Sequence, residues 1–324
     1  MIRYLLRRAG FYALAAWVAL TLNFMVPRLM PGDPASVMFA RFQGDLDPEA
    51  ITALRETFGL TDAPMWQQYL SYLGHVAQGD FGTSVVYFPA PVSEVLMTGL
   101  MWTVFLAGIA VVLAFVIGST LGALSAWWRG GFLDSLAPPI LSFIGAFPYF
   151  WLAMAAAWLF GFQLGWFPVR HAYGLHIEPG FHLAFFGSVL RHAFLPALTM
   201  VIVALGGWLL SMRNVMLGTL GEDFITYAQA RGLSKRRILV HYAVRNALLP
   251  NVAGFGMALG FVLSGALLTE IVFSYPGQGY LLIQAVRGQD YPLMQGIFLT
   301  ITFAVLGANW LVDLLTALLD PRTR

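Results

Sequence analysis

Six stretches of this chain are long and apolar enough to cross a lipid bilayer, and that feature removes almost every fold open to a soluble chain. A spanning helix needs about 20 mostly apolar residues to cover the roughly 30 Å hydrocarbon core. Such stretches cover about residues 9–26, 100–127, 136–160, 193–212, 247–273 and 293–319. Lipid offers no partner to a backbone N–H or C=O, so each is expected to be helical. The expected fold class is an all-α integral membrane protein with six transmembrane helices.

Composition agrees. Of 324 residues, 59% are hydrophobic and 10% charged, against about 25% charged in a soluble domain. Ten Trp and 26 Phe suit lipid contact and membrane interfaces. A net charge of +2 is too small to argue for nucleic acid. With no Cys, disulfide and thiolate chemistry are excluded. Arg3, Arg7 and Arg8 before the first apolar stretch resemble the basic start of a signal peptide. That stretch is long, however, and Pro27-Arg28 follows it in place of a small-x-small cleavage site, so residues 1–29 are read as a retained helix.

Lys and Arg set the orientation. With an inside N-terminus, twelve of them fall inside and six outside. Both termini are therefore expected in the cytoplasm. Residues 30–98 form a long, acidic outer segment. Asp47-Pro48-Glu49 reads as a helix start, with Ile51, Leu54 and Phe58 on one face. Trp66, Tyr69, Leu70, Leu73 and Val76 mark a second helix, closed by Gly79 and Gly82. This is either a small helical cap or an interfacial segment lying on the lipid. Residues 99–319 would form a five-helix core, and 320–324 a cytoplasmic tail.

The inside segment 213–249 is read as helix, turn, helix. Residues 222–231 form one short helix, Gly232 suits the left-handed position after it, and Ser234 suits the N-cap of the next. Tyr227 and Leu233 are expected to be exposed at this turn, with Lys235, Arg236 and Arg237 projecting beside them. An ordered, exposed surface of this kind argues for a partner, whereas basic charge alone needs none.

At this segment the sequence resembles a known family. Ala228-Gln229-Ala230-Arg231-Gly232-Leu233-Ser234, followed by Ala243-Val244-Arg245-Asn246-Ala247-Leu248-Leu249-Pro250, is similar to the cytoplasmic loop of the permease subunits of binding-protein-dependent ABC importers, in their dipeptide/oligopeptide branch. The likeness covers nearly the whole chain. It includes Arg3-Tyr4-Leu5-Leu6-Arg7-Arg8, Leu29-Met30-Pro31-Gly32-Asp33-Pro34 and Gly79-Asp80-Phe81-Gly82-Thr83-Ser84. It continues through Glu270-Ile271-Val272-Phe273-Ser274-Tyr275-Pro276-Gly277, Asp290-Tyr291-Pro292 and Leu318-Leu319-Asp320-Pro321-Arg322. Two departures from the broad importer pattern, Thr226 at its Glu position and Val244-Arg245 at its Leu-Pro position, are common in the peptide branch.

The resemblance implies a type I permease of a bacterial inner membrane, working with a second homologous permease, two ABC ATPase subunits that bind ATP and Mg, and a periplasmic binding protein. It places Tyr227, Ala228, Ala230, Arg231, Gly232, Leu233, Ser234, Lys235 and Arg245 in an ATPase-coupling loop. The implied cargo is peptide, with oligosaccharides or metal chelates as alternatives, because selection lies with the binding protein.

No Gly-Lys-Ser/Thr phosphate loop is present, so ATP hydrolysis has to come from another chain. No nucleophile elbow or zinc-protease motif suggests an enzyme, and no cofactor or metal site is expected. His171, His176 and His182 share one outer loop and are read as solvated. Glu270 and Tyr275 are candidates for the outer mouth of a pathway, and Asp313 for a locally paired carboxylate. Gly118-x-x-x-Gly122, Gly256-x-x-x-Gly260 and Gly206-Gly207 read as close-packing sites, Pro148 and Pro196 as kinks, and Asn23 and Asn309 as cross-helix bonds. A self-sufficient secondary transporter is the competing class. It would carry inverted repeats and polar midplane sites, and neither is apparent.

Overall fold

The structure, a computed structural model, describes residues 2–29, 63–260, 262 and 266–319. The expected helix at Asp47-Pro48-Glu49, the rest of the Leu29–Pro34 block beyond Leu29, and Asp320-Pro321-Arg322 lie outside the described residues. Among the described residues the chain is all-helical, apart from one isolated bridge between Thr83 and Pro91. Three helices there are long and apolar enough to cross a membrane: Val92–Trp127, Leu183–Leu220 and Tyr291–Leu311. A fourth span results if Phe132–Gly145 and Tyr149–Gln163, bent by 93°, count as one.

The chain packs as two compact units. Residues 1–103 and 276–324 form the first. It holds α1 (Ile2–Leu29), α2 (Met65–Ala77), the first turns of α3 (Val92–Trp127), α11 (Gln278–Arg287) and α12 (Tyr291–Leu319). Polar side chains tie α1 to α12 along its length. Arg8 lies 3.2 Å from Asp313, and the Tyr12 hydroxyl donates to the same carboxylate at 2.6 Å. Asp313 is thus paired locally. Further along, Asn23 and Gln295 each donate a side-chain amide N–H to the other's backbone carbonyl at 3.0 Å. Two bonds formed in exchange between apolar helices fix their register, because neither amide has water to fall back on.

Helix α2 packs beside α1. Tyr69 and Tyr72 set their rings against Phe24, the Thr21 and Tyr69 hydroxyls lie 2.8 Å apart, and Arg28 bonds Gln68 while stacking 3.6 Å over Phe24. Trp66 and Leu70, expected on the packed face, are exposed. The face is turned because the polar bonds of Gln68, Tyr69 and Tyr72 decide which side meets α1. The helix closes as the glycine signal implies. Gly79 takes φ +72°, the Asp80 N–H donates to His75 O, and the Gly79 N–H donates to Val76 O.

Residues 104–275 form the second unit. It holds the rest of α3, α4 (Phe132–Gly145), α5 (Tyr149–Ala156) with a π-helical extension Ala157–Gln163, α6 (Leu183–Leu220), α7 (Asp223–Ala230), α8 (Lys235–Arg237), a π-helical run Ile238–Val244, α9 (Arg245–Gly260) and α10 (Leu267–Val272). The third expected stretch is broken where Pro148 caps α5, since the residue before a proline resists helix. Pro196, by contrast, sits inside an unbroken 38-residue helix. The fifth expected stretch is divided between α9 and α10.

Gly118 and Gly122 bring the α3 backbone against α6, where a methyl on Gly122 would lie 2.3 Å from Leu209 O. Gly206 does the same against Leu141 of α4. Gly256 and Gly207, expected to act alike, face open space.

Candidate functional site

The segment expected to present a docking surface is built from a buried face outward. Helix α7 starts after an extended Glu222, and Asp223 adds an acid to its first turn, favourable beside the free N–H groups there. Ile225 and Ala228, three residues apart, share one side. They are buried with Met212 and Met216 of α6, Ile238 and Ala243 of the π-helical run, and Ala247 of α9. The other side of α7 is bare, and Tyr227 is 72% exposed.

The helix ends in a complete Schellman turn. The Leu233 N–H donates to Ala228 O, the Gly232 N–H to Gln229 O, and Gly232 has φ +71°. Leu233 then folds back onto the cluster that holds Ala228. Ser234 follows in extended conformation, and its carbonyl accepts from the Ile238 N–H at 3.0 Å to open the next helical run. Its hydroxyl makes no capping bond.

The nine residues singled out from sequence therefore divide. Tyr227, Ala230, Arg231, Gly232, Ser234 and Lys235 are exposed along α7 and its turn, and Arg245 is exposed at the start of α9. Ala228 is buried and Leu233 half-buried, so these two hold α7 in place from beneath. Leu233 was expected at the surface. It is covered because the second residue after a Schellman turn packs back on the helix. Phe224, partly exposed beside Tyr227, was not anticipated. Its position one turn before Tyr227 on α7 was the available signal. The bare surface is an aromatic patch beside Arg231, Lys235, Arg236 and Arg237, suited to a partner with an apolar slot and acidic rim.

The other two candidates behave differently. Glu270 and Tyr275 are fully buried in the second unit, so neither faces an open surface. They belong to a second Schellman turn. The Tyr275 N–H donates to Glu270 O at 2.8 Å, the Ser274 N–H to Ile271 O, and Ser274 takes φ +43°. Of the histidines His171, His176 and His182, His182 caps α6. Its Nδ1 accepts from the Phe185 N–H at 3.2 Å, which leaves Nε2 to donate to Glu178 O at 2.9 Å. It is a helix cap, not a merely solvated ring.

In the first unit, two distant sequence blocks meet at Asp290, which is fully buried. One carboxylate oxygen accepts from the Ser84 hydroxyl and the Val86 N–H, and the other caps α12 by accepting from the Leu293 N–H at 3.0 Å. Burial pushes this carboxyl above its ordinary value, and the bonds from Ser84, Val86 and Leu293 pull it part of the way back. Asp80 is shifted the other way, first by the Gly82 N–H it accepts and then by His75.

The chain matches two family models. Residues 118–324 match the binding-protein-dependent transport system inner membrane component, and residues 1–97 match its N-terminal component. The chain is 36% identical to the di/tripeptide transport system permease protein DppB of Pseudomonas aeruginosa, over all of this chain and 99% of that protein. It is 33% identical to the oligopeptide transport system permease protein AppB of Bacillus subtilis, over 99% of both chains. It is 34% identical to the dipeptide transport system permease protein DppB of Escherichia coli K12, over all of this chain and 99% of the other. A chain matched by this family over most of its length, with full-length permease relatives, belongs to the binding-protein-dependent transport system inner membrane components, the transport permease subunits of ABC importers.

Proposed function

We propose that this chain is a membrane-spanning subunit of an ABC importer for di- and oligopeptides, and that α7 with its Schellman turn is the element that engages an ATPase subunit. The observation that carries the coupling role is the division of α7 into a buried anchoring face and a bare aromatic and basic face. The peptide assignment draws on the relatives, whose names are those of dipeptide and oligopeptide permeases. The chain crosses a bacterial inner membrane six times with both termini in the cytoplasm, in keeping with the Lys and Arg bias. It pairs with a second homologous permease. Two ATPase subunits bind ATP and Mg, and a periplasmic binding protein delivers the peptide. Closing of the ATPase pair moves α7, and α7 moves the helices above it.

Gly232→Pro tests the coupling element. Proline fixes φ near −65° and has no N–H, whereas Gly232 has φ +71° and donates to Gln229 O. The expected result is normal membrane insertion with loss of substrate-stimulated ATPase activity in the assembled complex. Unchanged stimulation would remove α7 from the coupling path. The cargo is tested separately by uptake in a deletion strain. Peptide import is expected to disappear, and normal peptide import with lost sugar-oligomer import would overturn the peptide assignment.

A further inference from the structure

Where α7 meets the membrane helices, one ion pair gathers three segments of the second unit. Asp134, in the first turn of α4, is half-buried, with its side chain 8% exposed. One of its oxygens accepts from Arg213 Nε at 2.6 Å and from the Ser125 hydroxyl at 2.7 Å. The other accepts from the Gly130 N–H at 2.9 Å. Ser125 lies on α3, Gly130 in the turn between α3 and α4, and Arg213 on α6. A charged carboxylate that accepts from donors on α3, α6 and the turn between α3 and α4 is a stiff joint, because movement of any one segment strains charge-assisted bonds shared with the others.

The joint stands beside two other fixed features. Arg213 follows Met212, and Met212 and Met216 bury Ile225 and Ala228 of α7. Opposite Arg213, Gly122 brings α3 so close that an added methyl would lie 3.0 Å from the Arg213 backbone nitrogen. Further along α4, Gly206 keeps α6 close to Leu141, where an added methyl would lie 2.7 Å from Leu141 O, and beyond that contact the chain bends by 93° into α5. Displacement of α7 would therefore pass through the end of α6 into α3 and α4 as one body, as far as the bend before Pro148.

We propose that the Asp134–Arg213 pair is a positioning strut that carries movement of α7 into α3 and α4, so that it sets how much transport each ATP turnover performs. This rests on the coupling role of α7 proposed above. The test uses the full importer in proteoliposomes, measuring substrate moved and ATP hydrolysed in the same preparation. Asp134→Asn, Arg213→Gln and the double variant make a cycle. Arg213→Lys is the gentler variant, keeping a cation but not the Nε–H.

Transport per ATP is expected to fall about tenfold in each single variant, within the usual range of coupling between sites. The double variant is expected to fall no further than either single, because both break one joint. A purely structural role predicts less assembled complex with a wild-type ratio of transport to hydrolysis, and that outcome overturns the strut. Tyr227→Ala separates this failure from failure of the underlying reading. If Tyr227→Ala uncouples while the pair variants keep the wild-type ratio, only the strut is wrong. If Tyr227→Ala also keeps that ratio, α7 is not the coupling element and the strut falls with it.

Discussion

Gly122→Ala is expected to separate α3 from α6 and to lower the thermal stability of the purified protein by several degrees, while Gly256→Ala leaves it unchanged or slightly higher. At Gly122 the added carbon would meet Leu209 O at 2.3 Å and both the Arg213 nitrogen and Met212 Cβ at 3.0 Å. Two of these atoms are backbone and cannot turn aside. Relief requires the helices to move apart, and overpacking of this kind costs roughly 1–3 kcal/mol. Opening the crossing would also loosen the neighbouring contact, where Gly118 sits against Trp208 and Leu205. Gly256 has nothing within 4 Å, and alanine is the better helix former by about 1 kcal/mol. Melting of the two variants in one detergent, followed by loss of the monodisperse peak, is the measurement. Equal stability of the two would mean that the α3–α6 crossing is not as close as described.

That pair of glycines also marks the limit of what the sequence conveys. Gly118-x-x-x-Gly122 and Gly256-x-x-x-Gly260 are the same motif, yet both glycines of the first bring two backbones together while Gly256 faces open space. The motif says that a helix could be approached closely, and the partner's path decides whether it is. The α7 turn was legible because Gly232 supplies the left-handed residue openly. Two other turns of the same type were not, because Ser274 and Gln289 hold that position with φ +43° and +50°, and neither residue type announces it. The break at Pro148 was foreseen as a kink but not as a 93° bend, whereas Pro196 leaves α6 unbroken. Local sequence was the same kind of evidence in both cases, and packing decided. Least legible was the Asp134–Arg213 pair, 79 residues apart. Arg213 counted only as one inside charge until the fold placed a carboxylate against it.

Asp290→Ala is expected to have the largest effect on the first unit. Its carboxylate is the shared acceptor for the Ser84 hydroxyl, the Val86 N–H and the Leu293 N–H, and it is fully buried. Each buried donor left without a partner costs about 1–3 kcal/mol, and losing the N-cap of α12 costs about 0.5–2 kcal/mol. The effects overlap, since the Leu293 N–H is counted in both; two unpartnered donors and one lost cap together give roughly 2.5–8 kcal/mol from the two ranges. The Ser84 hydroxyl, which also accepts from the Tyr87 N–H at 3.0 Å, would lose the acceptor that orients it, loosening the loop 84–91 that leads into α3. Reduced protease resistance between α2 and α3 would report this directly. Asp290→Asn should be milder, because an amide keeps one acceptor oxygen. The two side chains also differ in their response to pH. Burial raises the folded-state value of Asp290 above its ordinary value near 3.8, so the folded protein holds this proton more tightly than the unfolded chain does. The advantage of wild type over Asp290→Asn is then full below that ordinary value and shrinks as pH rises through the raised one. A difference in stability that grew with rising pH would mean that the carboxylate is favoured in its charged form. The hydrogen bonds from Ser84, Val86 and Leu293 would then outweigh burial at the junction of the two blocks.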